Sequence, residues 1–233
     1  REQELQAMCQ VDLVLSYNEV EHSVIQSHTD GQVKVMKCPW VLDFPDTVPP
    51  LEQRQGLSFL GGYRHPPNAE GITWFAREVM PLVEKLDPSI VLSIYGAGLT
   101  DEIRDLKTTN IDPIGFVEDA ADAYDQHRIF VAPLLSGAGI KGKVLAALAH
   151  GVPCVLTPTA AEGIGLRHKH DCFIATTPEE WLEAIRTLSE DPDIWQSISQ
   201  TARAYMQDRY SLETGRSEMR AAFEAIDMFN PFD

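Results

Sequence analysis

No stretch of this chain approaches the run of about 18 apolar residues that spans a bilayer, so an integral membrane protein is not expected. Basic residues are scarce: 19 Lys and Arg stand against 35 Asp and Glu in 233 residues, a formal charge of -16. That field repels polyanions, which argues against nucleic acid as a partner. An anionic ligand must therefore be small and held by local chemistry. Cysteine is sparse too. Cys9, Cys38, Cys154 and Cys172 are widely separated, with no C-x-x-C pair and no His at ligand spacing, which leaves no basis for a zinc module or a disulfide scaffold. A reduced, cytoplasmic setting follows as the expectation. Internal repeats, low-complexity tracts, a signal peptide and an initiator Met are absent, and the opening "REQELQAMCQVDLVLSYNEVE" reads as a helix running into a strand. The expectation is a chain entered partway through a longer protein.

What is present is alternation. "VDLVLS" (11–16) reads as a strand, "NEVEHSVIQSH" (18–28) as a helix and "QVKVMKCPW" (32–40) as a strand, followed by an aperiodic linker with Pro45, Pro49 and Pro50. From Leu57 onward, apolar runs starting at 57, 90, 111, 128, 152 and 171 alternate with amphipathic segments. This is the pattern of a parallel sheet with helices on both faces. The segment 68–86 places Ile72, Phe75, Val79, Leu82, Val83 and Leu86 on one stripe of a helix. The tail is helical: Thr177, Pro178 and Glu180 spell a capping box, Asp191 caps a second helix and Ser211 a third running to about Met228. The division expected is 1–49, then 50–233.

In such a sheet, ligands bind beyond the carboxyl ends of the strands. Five of those loops carry glycine, at 61–68, 96–98, 115–119, 136–143 and 157–165. The fourth, "SGAGIKGK", has the strongest phosphate chemistry: free N–H groups over Gly139, Ile140, Lys141 and Gly142, a helix starting near Lys141, and the ammonium groups of Lys141 and Lys143. Its spelling approaches a triphosphatase P-loop, but Val144 stands where that motif carries a hydroxyl for magnesium. A diphosphate fits the loop; the bland reading is a tight turn whose lysines dangle in water. Arg64 and His65 are either phosphate contacts or parts of a stiff turn. Phe116 and Val117 either meet a base edge or pack in the core. Glu162 is either an acceptor for sugar or ribose hydroxyls or a helix cap, and "RHKH" (167–170) reads as a solvated turn. No Ser-His-Asp set, paired carboxylates or metal cluster emerges from spacing, so no catalytic side chain and no metal ligand is assigned.

These residues resemble the group 1 glycosyltransferases of the GT-B fold. The resemblance runs through "FLGGYRHPPNAEGITWFAREVMPLV", "LSIYGAG", "IGFVEDAADAYDQHRIFVAPLLSGAGIKGKVLAALAHGVPCVLT", "AAEGIGL" and "DCFIATTPEEWLEAI". It implies an α/β, Rossmann-like doubly wound parallel sheet with a helical C-terminal tail, forming the donor-binding half of a retaining enzyme. The donor is a nucleotide-sugar and the acceptor unknown; no cofactor or metal is expected. Residues 1–49 then resemble the end of an N-terminal acceptor-side domain, the rest of which is the missing partner from the same parent chain. Phe116 and Val117 resemble the base-contacting turn, and Gly139 to Lys143 the diphosphate loop. The family's paired glutamates, separated by seven residues, fall on Ala138 and Ala146, and its usual Arg and Lys near the first strand fall on Tyr63 and Asn68. Arg64, Lys141 and Lys143 are left to meet phosphate charge. The alternative is a non-catalytic binding or assembly module that has lost its donor chemistry.

Overall fold

The computed structural model of the chain describes residues 2–17 and 19–228. Arg1 and Asn18, which open two of the expected helices, lie outside the described residues. The chain divides into two compact units, one made of residues 1–43 and 207–233 and the other of residues 44–206. The end of the helical tail clusters with the N-terminal segment.

In the first unit, helix α1 (Glu2–Met8), strand β1 (Val14–Ser16), helix α2 (Glu19–His28) and strand β2 (Val35–Lys37) form a small parallel crossover. Ile25, Val33 and Val35 bury together, with Met8 and Val14 packed against them. Helix α10 (Leu212–Glu224), capped by Ser211, meets β2 through an ion pair of Lys37 and Glu218 at 2.7 Å. Leu15 of β1 and Val20 and Val24 of α2 are exposed.

The second unit carries a six-stranded, wholly parallel sheet. Its strands are β3 (Gln55–Leu60), β4 (Leu92–Tyr95), β5 (Ile111–Gly115), β6 (His127–Ala132), β7 (Cys154–Leu156) and β8 (Phe173–Ile174), in the spatial order β5-β4-β3-β6-β7-β8. The chain winds outward from β3 in one direction, returns, and winds outward from β6 in the other. This is a doubly wound Rossmann-like sheet whose order reverses between β3 and β6. Central strands are buried on both faces, as helices on both sides of a parallel sheet require: Leu57, Phe59, Leu92, Ile94, Ile129 and Val131 are fully buried on one face, and Ser58, Phe130 and Ala132 on the other.

Helices α3 (Pro66–Trp74), α4 (Met80–Leu86), α5 (Asp101–Arg104), α6 (Gly142–Ala149), α7 (Pro158–Ala161), α8 (Pro178–Glu190) and α9 (Pro192–Tyr210) complete the chain. The expected helix over 68–86 is two helices joined by a π turn at Phe75–Val79. Pro81 accounts for it, having no N–H to donate and a ring that crowds the carbonyl four residues back. Ile72, Phe75, Val79, Met80 and Val83 are buried, while Leu86, expected in the same stripe, is exposed at the last turn. The capping box of Thr177 and Glu180 is present, and Asp191 accepts from the N–H groups of Asp193 and Ile194. Between β5 and β6 the connection is a single 3-10 turn at Ala120–Ala123 where a full helix was expected. Among the described residues, no helix is long and apolar enough to cross a membrane.

Candidate functional site

Because all six strands run the same way, the loops after β3, β4, β5, β6 and β7 emerge on one edge. Lateral backbone hydrogen bonds carry the sheet past the strand ends: Gly61 N–H donates to Tyr95 O at 3.1 Å, Tyr63 N–H to Ala97 O at 3.0 Å and Gly96 N–H to Gly115 O at 2.7 Å. Gly96 has φ +126°, and a Cβ there would overlap the carbonyl of Gly61, so only glycine lets these loops meet. The floor of the edge is main chain.

On one side of the reversal, Pro66 and Pro67 open α3 and Asn68 sits in its first turn, 6% exposed. Tyr63 is buried, and its Oη donates to Tyr95 O at 2.8 Å. Burial raises its pKa. Tyr63 is thus part of the core and offers nothing to a ligand. Arg64 is exposed, and a Cβ at Gly98 would meet its Cγ at 3.6 Å, so the loops after β3 and β4 share one surface.

On the other side, the loop after β6 turns through Gly137 (φ +116°) and Gly139 (φ +79°), left-handed conformations that favour glycine, and reaches α6 with Lys141 at its N-cap. The first-turn N–H groups of Gly142 and Lys143 have no carbonyl four residues back within the helix. Lys141 Nζ donates to Gly139 O within its own loop. Burial lowers its pKa, with Glu162 acting in the opposite sense. Lys143 reaches across the reversal. Its Nζ donates to Asn68 Oδ1 and lies 4.7 Å from the centroid of the Phe59 ring. Burial, aided by the charge of Lys141, pushes the Lys143 ammonium down to about 8. The lysines are therefore not dangling in water, and one of them joins the two halves of the sheet.

The remaining candidates flank this centre. Phe116 is 71% exposed, which removes the core-packing reading; Val117 is half-buried. With Leu99, Pro113 and Ile114, Phe116 walls a cleft of about 520 Å³ whose floor includes Gly96, Gly98 and Gly115. Glu162 is exposed just after α7, whose N-cap is Thr157, so its carboxylate does not cap that helix. It faces the loop of Lys141 closely enough to act on that ammonium. Ala138 is exposed and Ala146 half-buried, and neither brings a carboxylate to the mouth. "RHKH" is a turn as expected, tied down by buried Asp171, which accepts from Arg167 N–H and Nε. Among the described residues no group of three or more His, Cys, Asp or Glu is placed to hold a metal ion.

Arg64, the 139–143 loop and Glu162 thus stand on loops at the same carboxyl edge of the sheet, with Phe116 and Val117 following β5. Two contributors had no local signal in the sequence. Asn68 and Phe59 meet Lys143 only because the crossover brings β3 and α6 side by side, 75 positions apart for Asn68 and Lys143. Position 68 is also where the resemblance places a lysine. The positive charge is present there, delivered from α6.

Comparison with known proteins gives consistent results. An uncharacterized 44.6 kDa protein of the cps region of Klebsiella pneumoniae is 29% identical over 161 residues, covering 65% of this chain and 42% of that protein. Among solved structures, TarM of S. aureus superposes with a TM-score of 0.78 at 13% identity, over 97% of this chain and 45% of that one. Anabaena HepE in complex with UDP and glucose gives 0.74 at 14%, over 96% and 67%. Pneumococcal GtfA, an O-GlcNAc transferase in complex with UDP and GlcNAc, gives 0.74 at 15%, over 97% and 47%. The chain thus spans less than half the length of the curated relative and of TarM. The sequence model of the group 1 glycosyl transferases matches residues 54–191, more than half of the chain. The fold, the order of its strands and that match agree, and the chain belongs to the group 1 glycosyl transferases.

Proposed function

We propose that this chain is the donor-binding half of a glycosyltransferase that moves a sugar from a nucleoside diphosphate to an acceptor with retention. The observation that carries the reading is the sheet reversal between β3 and β6, where Lys143 and the first turn of α6 meet Asn68 and Lys141 stands close enough to act on Lys143. A diphosphate there meets two ammonium groups, the unpaired N–H groups of a helix start and the nearby guanidinium of Arg64. Phe116 and Val117 offer a ring and a main-chain edge to a base in the cleft beside them, and Glu162 a carboxylate to ribose or sugar hydroxyls. That HepE and GtfA are known with UDP in complex supports a nucleotide ligand for this fold.

In the reading, the chain works by electrostatics. Charge accumulates on the departing diphosphate as the bond to the sugar breaks, and preorganised cations and N–H dipoles stabilise it without reorganising. No side-chain nucleophile and no resident metal takes part. The acceptor is held by a domain of which residues 1–49 form the end, so the chain by itself is expected to transfer nothing.

Calorimetric titration with UDP-sugars and GDP-sugars tests this. Saturable binding supports the reading, and silence at millimolar nucleotide removes it. The second reading, a non-catalytic module on the same fold, is favoured by one observation, the methyl groups of Ala138 and Ala146 at the mouth. It requires a longer parent protein that binds donor without transferring sugar, or binds none.

A further inference from the structure

We propose that Asn68 is the positioning residue of the anion site: its side-chain carbonyl fixes the Lys143 ammonium in the crevice without neutralising it, so that the charge remains for a phosphate ligand. The proposal rests on the diphosphate-binding reading above and deepens it.

An ammonium has three N–H donors. In Lys143 one goes to Asn68 Oδ1, and the ring of Phe59, 4.7 Å away, covers another side of the group. Gly61 closes in as well: a Cβ there would sit 2.9 Å from Asn68 Cγ and 3.0 Å from Lys143 Nζ. The Asn68 amide is itself pinned, because Nδ2 donates to Gly62 O at 2.8 Å, which leaves Oδ1 for the lysine. Asn68 is buried in the first turn of α3, its N–H bonded to His65 O at 3.0 Å, so neither partner is free to swing away.

The charged groups around the ammonium complete the argument. Lys141, on the same loop, repels it; Glu162, across the mouth, acts on Lys141; Arg64 stands on the loop after β3. Among the described residues no carboxylate lies within ion-pair distance of Lys143. This is a cation collected from water, aimed by a neutral acceptor and left without a counter-ion. A carboxylate at position 68 would hold the lysine more tightly and cancel its charge. An apolar residue would leave it unheld. Only a neutral oxygen both aims the ammonium and preserves its charge.

The test uses Asn68→Asp and Asn68→Leu in the 233-residue chain, with UDP and inorganic diphosphate as ligands in calorimetry. The Lys143 titration is followed through its Cε NMR shift. In Asn68→Asp the lysine should titrate at higher pH and both ligands bind at least about tenfold more weakly; loss of the Nδ2 hydrogen bond to Gly62 O should lower the melting temperature in this variant and in Asn68→Leu alike. A residue that merely supports the fold cannot move the lysine titration in opposite directions in two variants that both lose that bond. In Asn68→Leu the lysine should titrate at lower pH, and binding should weaken most at the alkaline end. If the wild type binds UDP and both variants bind it equally well, or if the Lys143 titration moves in neither, the assignment to Asn68 is wrong and the nucleotide reading survives. If the wild type binds neither UDP nor diphosphate, the nucleotide reading falls and this proposal with it.

Discussion

Arg54 and Lys143 are both cations drawn out of water in the unit of residues 44–206, and they are held in opposite ways. Arg54 is 2% exposed and its donors are spent on main-chain carbonyls: Nε to Pro49 at 2.9 Å, Nη1 to Tyr124 at 3.0 Å and His127 at 3.3 Å, Nη2 to His150 at 2.9 Å. The ring of Trp195, 5.7 Å from Cζ, covers a face. Lys143 has one oxygen and one ring and is only half-buried. A saturated cation ties segments together. An unsaturated one at a sheet reversal is available to a ligand.

The difference can be broken from the Arg54 side first. Arg54→Met removes donors from four carbonyls at once, those of Tyr124 and His127 buried and those of Pro49 and His150 partly so, and the expected loss of stability is about 3 to 4 kcal/mol. Urea unfolding should show a lower midpoint at unchanged slope. Nucleotide affinity of the folded fraction should not move; a specific loss of affinity at full stability would undo the contrast.

Beside Arg54, His127 is 7% exposed, bonded through Nε2 to Tyr95 Oη at 2.8 Å, with Nδ1 unpartnered. Burial, with the Arg54 charge adding to it, lowers its pKa to about 4. The unfolded chain therefore takes up this proton before the folded protein does. Stability is complete above about pH 6.5 and falls as the pH drops toward 4, by on the order of 3 kcal/mol. Acid unfolding of the wild type against His127→Gln measures it: equal acid sensitivity of the two proteins would discard the assignment.

On the Lys143 side the expected signs reverse. Lys143→Met should leave the melting temperature unchanged or higher, since a partly buried charge is removed, while UDP affinity drops by about 1.5 to 3 kcal/mol, tenfold or more. Adding Lys141→Ala should abolish what affinity remains. Loss of stability without loss of affinity would place Lys143 in the same class as Arg54.

The smallest effect is a pH profile. Lys143 titrates at about 8 in the fold and about 10.4 in an unfolded chain, so the charged form is the one the fold disfavours. As pH rises from 8, the folded protein sheds this proton first, and the contribution of this group to stability rises. UDP binding should fall about tenfold between pH 7 and 9 as the ammonium is lost. Calorimetry and thermal melts over that range should therefore move in opposite directions.

Much of this was legible in the residues and some of it was not, for physical reasons. The apolar runs at 57, 90, 111, 128 and 152 announce buried parallel strands because both faces of the sheet are covered, and each became one. Caps at Thr177, Asp191 and Ser211 were readable because capping is local chemistry between neighbours. The π turn before Pro81 was not, since the apolar stripe keeps its spacing through it. The glycine-lysine loop was recognisable from its composition alone, whereas its engagement with Asn68 depends on a crossover that no local pattern encodes. Phe116 looked as suited to a core as to a ligand; only the register of β5 turns it outward. Arg54 gave no sign at all, because its partners are carbonyls and a carbonyl leaves no mark in a sequence.

The backbone contact between Gly96 and Gly61 constrains how such a site can diversify. Its floor is built from peptide groups that every residue type shares, in a place where any side chain collides with the neighbouring loop. Substitution there can destroy the crevice but cannot retune it. Change of ligand preference is left to the walls: Arg64, Phe116, Ala138, Ala146 and Glu162, positions where the exchange of one side chain leaves the floor untouched. A lineage built on this floor keeps the floor and varies what surrounds it.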